Sequence, residues 1–298
     1  MQTDTFYKQT EINKGDVTAK IFLDYFSERL RVDDYRGNIA ALAAEVHELA
    51  VQHDFSKVII KARSEHVGAF LALGYLPEAV FSQYFNGSDA VAMCRFYTNE
   101  RKRSDFWVEE DKIIDQILEL PHIKSGGYSL PENYLIRLAD LNDAEGLAAL
   151  YGEVFQVYPT PMNDPEYIKK TMEHGTIYYV IEHCKEVVSA ASADINLQYH
   201  NAELTDCATL PQHRKFGLMK ILIEKLEMEL KNRKIFCAYS IARSLSFGMN
   251  AVFFQRGYKY HGRFTKNCLI FDKYEDMNLW MRDLSENYCR IFGTTDEN

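Results

Sequence analysis

The chain has little of what marks the more specialised protein classes. Its 298 residues include only seven prolines and fifteen glycines, which leaves no room for a collagen-like or low-complexity tract. Basic residues number 34 against 43 acidic ones, for a formal net charge of −9. That balance argues against nucleic acid, whose phosphates must be neutralised by Lys and Arg, and favours a cationic small molecule through the summed field. No apolar run reaches the roughly 20 residues that span a bilayer, and the polar opening MQTDTFYKQTEINKGD has no signal-peptide core. Six cysteines (Cys94, Cys184, Cys207, Cys237, Cys268, Cys289) are scattered without a CxxC pair, as buried thiols in a reducing cytosol are. A cytoplasmic protein without a membrane partner is expected. The nine histidines form no HExxH or Cys/His grouping, so no metal is expected. No GxSxG or P-loop occurs, and His213 near Cys207 reads as incidental.

What is present is an alternation of strand and helix patterns. Val17–Tyr25 and Leu30–Tyr35 read as strands, followed by a helix carrying Ile39, Leu42, Ala43, Val46 and Ala50 at helical spacing. A buried strand at Lys57–Ala62, a helix ending at Gly74 and strands through Phe96 complete a first unit. The polar run 97–105 marks a boundary, 106–120 a connecting helix, and SGGYSLPEN a linker. A second unit begins at Tyr134: a strand, a helix with Asn142 as candidate N-cap, a Pro-rich loop, helix 165–174, and a hairpin turning near Lys185. Later come the strand FCAYSIAR, the helix GMNAVFFQRG and the strand YKYHGRFTKNCLIF, with a tail from 275 that reads as helical and then disordered. The resulting division is 1–105, 106–130, 131–284 and 285–298. Lys61-Ala62-Arg63-Ser64 before a helix and Gly74-Tyr75 echoes Ile241-Ala242-Arg243-Ser244 before a helix and Gly257-Tyr258. A duplicated half is the reading we favour. Its DDYRGNIAAL turn is acidic, so the first copy is expected not to bind cofactor.

The densest chemistry lies in AELTDCATLPQHRKFGLMKILIEKLEMEL (202–230). A strand ends at a Pro-marked turn, and a basic stretch with Gly217 opens a long amphipathic helix. Amides of a first helical turn lack internal partners and the helix dipole adds positive charge, so this turn suits phosphate. Glu203 stands at the start of the strand. Asp206 is the competing carboxylate, placed by strand parity on the other face unless a bulge intervenes.

The element order from Tyr134 to Phe271, with Arg214-Lys215-Phe216-Gly217-Leu218-Met219 at the strand-to-helix turn, resembles the GNAT superfamily of acyl-CoA N-acetyltransferases. The family signature is Gln/Arg-x-x-Gly-x-Gly/Ala, and Met219 departs from its last position. Residues AELTD, YSIAR, GMN and GYKYHG, together with LGYLPEA, YFNG and FYTNERK in the first half, are similar to β-lysine N-acetyltransferases over roughly Lys20 to Leu284. The resemblance implies an α/β (α+β mixed-sheet) fold of GNAT type with a degenerate GNAT-like N-terminal half. It also implies acetyl-CoA as donor and acetylation of the ε-amine of β-lysine, giving the compatible solute Nε-acetyl-β-lysine. Another small diamine, amino acid or polyamine is the alternative acceptor, and a non-catalytic acyl-CoA-binding module is the alternative of another class.

On this resemblance the amides of Arg214, Lys215, Phe216, Gly217, Leu218 and Met219 wrap the pyrophosphate, and Gly217 permits close approach. Cys207, Ala208, Thr209 and Leu210 pair with the pantetheine, Pro211 ends the ladder, and Asn250 contacts cofactor or substrate. An aliphatic amine near pKa 10.4 must lose a proton before it attacks a thioester. Glu203 holds the family position for that base. Arg243 is the expected carboxylate clamp, Asp206 and Tyr158 are expected to meet the acceptor, and Met162 and Asp164 lie on the loop that covers it. Phe253 stands where many relatives place a tyrosine acid, so either no acid is used or Tyr239 or Tyr258 serves. The acceptor is a small amine, and a homodimer is compatible with the sequence.

Overall fold

The computed structural model describes residues 6–121, 128–155 and 157–285. The first half runs β1 (Tyr7–Lys14), β2 (Val17–Asp24), β3 (Arg29–Gly37), α1 (Ile39–Gln52), β4 (Lys57–Arg63), α2 (Val67–Ala72), β5 (Leu76–Phe85) and β6 (Ser88–Phe96). Two helices, α3 (Asn99–Lys102) and α4 (Trp107–Leu118), lead to the second half. That half runs β7 (Tyr134–Leu138), α5 (Ala144–Val154), α6 (Pro165–Glu173), β8 (Ile177–His183), β9 (Glu186–Asn196), β10 (Asn201–Thr209), α7 (Leu218–Asn232), β11 (Cys237–Arg243), α8 (Phe247–Gln255), β12 (Lys259–Ile270) and β13 (Lys273–Asp283).

All the strands join one 13-stranded sheet ordered β1-β2-β3-β4-β6-β5-β12-β13-β11-β10-β9-β8-β7. The order β1-β2-β3-β4-β6-β5 repeats as β8-β9-β10-β11-β13-β12, so the second half has the first half's topology plus β7. Each half has one parallel pair, β3–β4 and β10–β11, bridged by α1 and α7, because parallel neighbours need a crossover. The halves meet through edge strands β5 and β12, at Gly262 opposite Ala79. Gly262 is required there: it sits at φ 123°, and a Cβ would come 2.5 Å from the Glu78 carbonyl oxygen. Polar bonds tie this seam. Buried Lys57 donates to Glu78 at 2.6 Å and to the Thr265 carbonyl at 2.6 Å.

Three cores follow from strand alternation. One lies between the first half's sheet and α1 and α2, including Leu30, Val46, Ile60 and Phe70. A larger one covers both faces of the second half's sheet, beneath α5 and α6 on one and α7 and α8 on the other, including Leu147, Leu222, Phe253 and Trp280. The third is shared by the halves on the face of the sheet away from α1, α7 and α8, the inner face, where Phe81 and Ile59 meet Tyr239, Phe264 and Leu279.

The structure corrects two local expectations and adds one strand. The tail from 275 is not helical: β13 lies mid-sheet between β11 and β12. It is buried on both faces yet carries Glu275, Asp276 and Asn278 among its buried residues, so neither an apolar run nor a clean period of two marks it in the sequence. The polar N-terminal stretch supplies strand β1, paired along its length with β2. Asn142 is not the N-cap; Asp140 accepts from the Asn142 amide and forms a capping box with Asp143. The hairpin turn falls at Cys184–Lys185, both at positive φ, as a two-residue hairpin requires. The linker SGGYSLPEN and the tail end, including Cys289, lie partly or wholly outside the described residues. No helix among the described residues is long and apolar enough to cross a membrane.

Candidate active site

β10 and β11 pair only from Asn201–Cys237 to Glu203–Tyr239 and then separate. Beyond that rung β10 pairs only with β9, and β11 only with β13. The facing edges of Leu204–Thr209 and Ser240–Arg243 are therefore unpaired with each other, a wedge able to take an extended amide chain as an added strand. The wedge leads to the turn before α7. There a 3-10 turn at Pro211–His213 precedes Arg214, whose Nε donates to the Thr209 carbonyl at 3.1 Å. Lys215 and Gly217 both adopt positive φ, 73° and 72°, and Gly217 opens α7 with no side-chain cap. Among the described residues the amides from Lys215 to Met219 have no acceptor. Successive unpartnered amides at a helix start form an anion cradle. Tyr128 packs beneath Gly217, so that an added Cβ would lie 2.9 Å from its ring, and its hydroxyl accepts from Lys220 at 2.6 Å. Met219 turns into the helix-side core, so its bulk stays out of the cradle. The residues thus fit a pyrophosphate with a pantetheine arm.

The first half has no such cradle. Only Asn38 separates β3 from α1, and its side chain caps the helix by accepting from Ala41 at 3.1 Å.

The inner face of the wedge carries the carboxylates. Asp194, Glu203 and Tyr239 stand side by side across β9, β10 and β11. A bulge between Thr205 and Ala208, with Asp206 at φ 48°, reverses the strand's parity. Asp206 therefore shares the inner face with Glu203, bonded to Ser192 Oγ at 2.7 Å and to Tyr158 Oη at 3.2 Å. Burial pushes the Glu203 carboxyl above its ordinary range, although Lys61 and Arg31 oppose the rise. Burial pushes Asp206 to about 6 against the pull of its two hydroxyl donors. Asp194 keeps solvent access but is walled by protein, and it too is raised.

The other anticipated residues are dispersed. Tyr158 stacks on Phe155 at 4.5 Å and reaches Asp206, whereas Met162 is buried in the helix-side core and Asp164 caps α6. Arg243, four residues beyond Tyr239, turns toward Phe271 (5.4 Å) and lies 3.8 Å from Glu275. Asn250 has no capacity left for a ligand. Its Nδ2 donates to the carbonyls of Arg243 and Ser246, both at 2.8 Å, and its Oδ1 accepts from Asn278 and Trp280. Phe253 and Tyr258 pack edge to face in the helix-side core, while Tyr239 lies on the inner face against Phe81. Burial raises both tyrosines, so their hydroxyls hold their protons. His213 bonds Tyr134 Oη at 2.7 Å. Burial keeps the Cys207 thiol neutral.

The first half brings charges that sequence reasoning missed. Arg31 and Asp33 on β3 and Lys61 on β4 face Glu203 from across the inner side. Lys61 Nζ lies 3.0 Å from Asp33, 2.9 Å from Tyr84 Oη and 6.0 Å from the Tyr239 ring centre. Burial disfavours its charge, but Asp33 and Tyr84 restore it; Asp33 in turn is held well below the usual carboxylate range by Arg31 and Lys61 despite its burial. The signal was present: in KVIIKAR, positions alternate Val58, Ile60, Ala62 on the core face with Lys57, Ile59, Lys61, Arg63 on the other. The strand reads as buried, but not as burying this charged face against the other half.

Among the described residues no three His, Cys, Asp or Glu side chains group as metal ligands do. A model of the acetyltransferase (GNAT) family matches residues 144–252. The N-acetyltransferase YodP of Bacillus subtilis (strain 168) is 37% identical over 92% of this chain and 98% of its own. A β-lysine N(6)-acetyltransferase of Methanosarcina mazei is 33% identical over 84% of this chain and 100% of its own. Another from Methanococcus maripaludis is 32% identical over 87% of this chain and 94% of its own. The chain belongs to the GNAT acetyltransferase family and is an acyltransferase acting on an amine.

Proposed function

We propose that this acyltransferase moves the acetyl group of acetyl-CoA onto the ε-amine of β-lysine. The observation that carries the reading is the charge content of the inner recess. Arg31 and Lys61 supply two positive groups, and Asp33, Asp194, Glu203 and Asp206 supply four carboxyl groups. A diamino acid, with two ammonium groups and one carboxylate, complements such a set; a polyamine brings no carboxylate to the cations. Two relatives covering most of this chain are named for β-lysine. The product, with one ammonium and one carboxylate, has no net charge, which suits a compatible solute.

Acetyl-CoA supplies the acetyl group on a thioester. The amides of Lys215–Met219 hold its pyrophosphate, with Arg214 and Lys215 adding charge, and the open edge from Cys207 to Leu210 pairs with the pantetheine arm. Asp206 and Tyr158 hold the ammonium end of the acceptor near the bulge. Glu203 takes the proton; raised by burial, it is a better match to an amine than a solvated carboxylate is. The amine nitrogen then forms the C–N bond as the C–S bond breaks and CoA leaves as thiolate. No side chain is assigned as general acid, because a thiolate near pKa 8.5 leaves without one.

Thiol release from acetyl-CoA, measured across β-lysine, lysine, ornithine and spermidine, tests the assignment. Turnover strongest with β-lysine is expected, while equal or better turnover of spermidine would reject it. Glu203→Gln should lower kcat by about 100-fold or more. Full activity of that variant through neutral pH would remove Glu203 as base.

A further inference from the structure

The two parallel ladders can be superposed rung by rung. In the second half the rungs are Asn201–Cys237, Ala202–Ala238 and Glu203–Tyr239. In the first half they are Arg29–Lys57, Leu30–Val58 and Arg31–Ile59. The third rung holds Glu203 in one half and Arg31 in the other. The first half thus carries a guanidinium where its twin carries a carboxylate, and the two side chains feel each other across the inner recess.

Arg31 is poorly satisfied for so enclosed a group. Its Nη2 reaches Asp33 only at 3.3 Å, its guanidinium lies 4.4 Å over the Phe22 ring, and its buried Nε has no partner. Its side chain is nevertheless 30% exposed. Asp33 is shared, its other carboxylate oxygen lying 3.0 Å from Lys61. A planar cation, stacked on an aromatic ring and short of acceptors, is prepared to receive a carboxylate.

We infer that Arg31, in the half that has lost its own cofactor turn, binds the acceptor's carboxylate and so sets the enzyme's preference for an amino acid over a plain amine. Arg243, the anticipated clamp, lies further along β11 with Glu275 and Phe271. Arg63, its counterpart in the first half, is spent on Asp34 at 2.8 Å and the Tyr35 carbonyl at 3.0 Å. The inference rests on the diamino-acid reading above and adds which group recognises the acid.

The test compares wild type, Arg31→Gln and Arg31→Lys on β-lysine and on β-lysinamide, which keeps both amines and loses the carboxylate. For Arg31→Gln we expect kcat/KM on β-lysine to fall by about 30-fold, carried by KM, with Arg31→Lys intermediate. The amide should change by less than about threefold in every variant. Equal losses on both acceptors, as misfolding or mere tuning of Glu203 would give, overturn the assignment, as does no loss on β-lysine. Wild-type turnover of β-lysine with an indifferent Arg31→Gln sinks only the Arg31 role. Wild-type preference for β-lysinamide over β-lysine sinks both that role and the diamino-acid reading.

Discussion

Asp206 should trade stability for function, and the size of the trade follows from its surroundings. Its carboxyl is moved from an ordinary 3.8 to about 6, with burial outweighing the bonds from Ser192 and Tyr158. A group that binds its proton more tightly when folded stabilises the fold below its unfolded pKa. That contribution is lost as pH rises, and the loss is complete once the folded group ionises. The window therefore runs from about 4 to 6, and the charged form costs roughly 3 kcal/mol above it. Partial solvent access cuts this to about 1–2 kcal/mol. Asp206→Asn keeps the shape and removes the titration, so it should match wild type near pH 4. It should gain on wild type up to pH 6 and hold a constant lead above. In a chain of this size that lead is about 2–6 °C in Tm, read by thermal melts or urea midpoints from pH 4 to 8. The same variant should lose most of its turnover, having lost the charge that holds the acceptor's ammonium. A Tm difference that is flat with pH, or one that favours wild type at pH 8, would refute the argument that burial sets this carboxyl.

Gly217→Ala forces a side chain onto φ 72° and against Tyr128. It should raise KM for acetyl-CoA about 10-fold while shifting Tm by only a few degrees; an unchanged KM would remove this turn as the cradle. Asn250→Ala leaves four partners unmet and should destabilise by about 2–4 kcal/mol. Calorimetric titration at low temperature should show acetyl-CoA affinity within about threefold of wild type, whereas a larger loss would return Asn250 to the cofactor. A chain beginning after residue 105 exposes the inner core around Phe264, Leu279 and Met281 and loses Arg31 and Lys61. It should aggregate or be inactive on β-lysine, and a soluble, fully active fragment would contradict the shared core.

The sequence displayed the parts of this molecule governed by local rules. Helix periodicity, the Gly217 turn and the paired Lys61-Ala62-Arg63-Ser64 and Ile241-Ala242-Arg243-Ser244 runs all report on neighbours a few residues apart. Strand β13 is hidden because it buries Glu275, Asp276 and Asn278 beside Met277, Leu279 and Trp280, placing polar residues where a buried strand's pattern calls for apolar ones. Asn250 looked like a ligand residue because its four bonds go to β11, β13 and a turn, partners separated by up to 30 positions. Asp206 depended on a bulge, which one sequence does not declare. Arg31, Asp33 and Lys61 were hidden for a different reason. A strand that reads as buried does not say what covers its charged face, and only the tertiary fold makes that face an inner one.

The partition of labour between the halves follows from that inner face. A second half alone would leave the edge of β12 unpaired and the apolar side of β11, β12 and β13 bare, both liabilities in water. The first half removes both at once, through the Gly262–Ala79 pairing and the core around Phe81 and Tyr239. Once that cover is in place, any polar side chain on it lies opposite Glu203 at no further cost in folding entropy. Loss of the cofactor turn, with one residue left between β3 and α1, freed the third rung of its ladder from catalysis. Arg31 at that rung then serves the other half's reaction. The charges that select the acceptor and the apolar contacts that hold the sheet together belong to one interface. Substitutions at Phe81 or Tyr84, which touch no ligand, should therefore alter acceptor KM by displacing Lys61 and, through Asp33, Arg31.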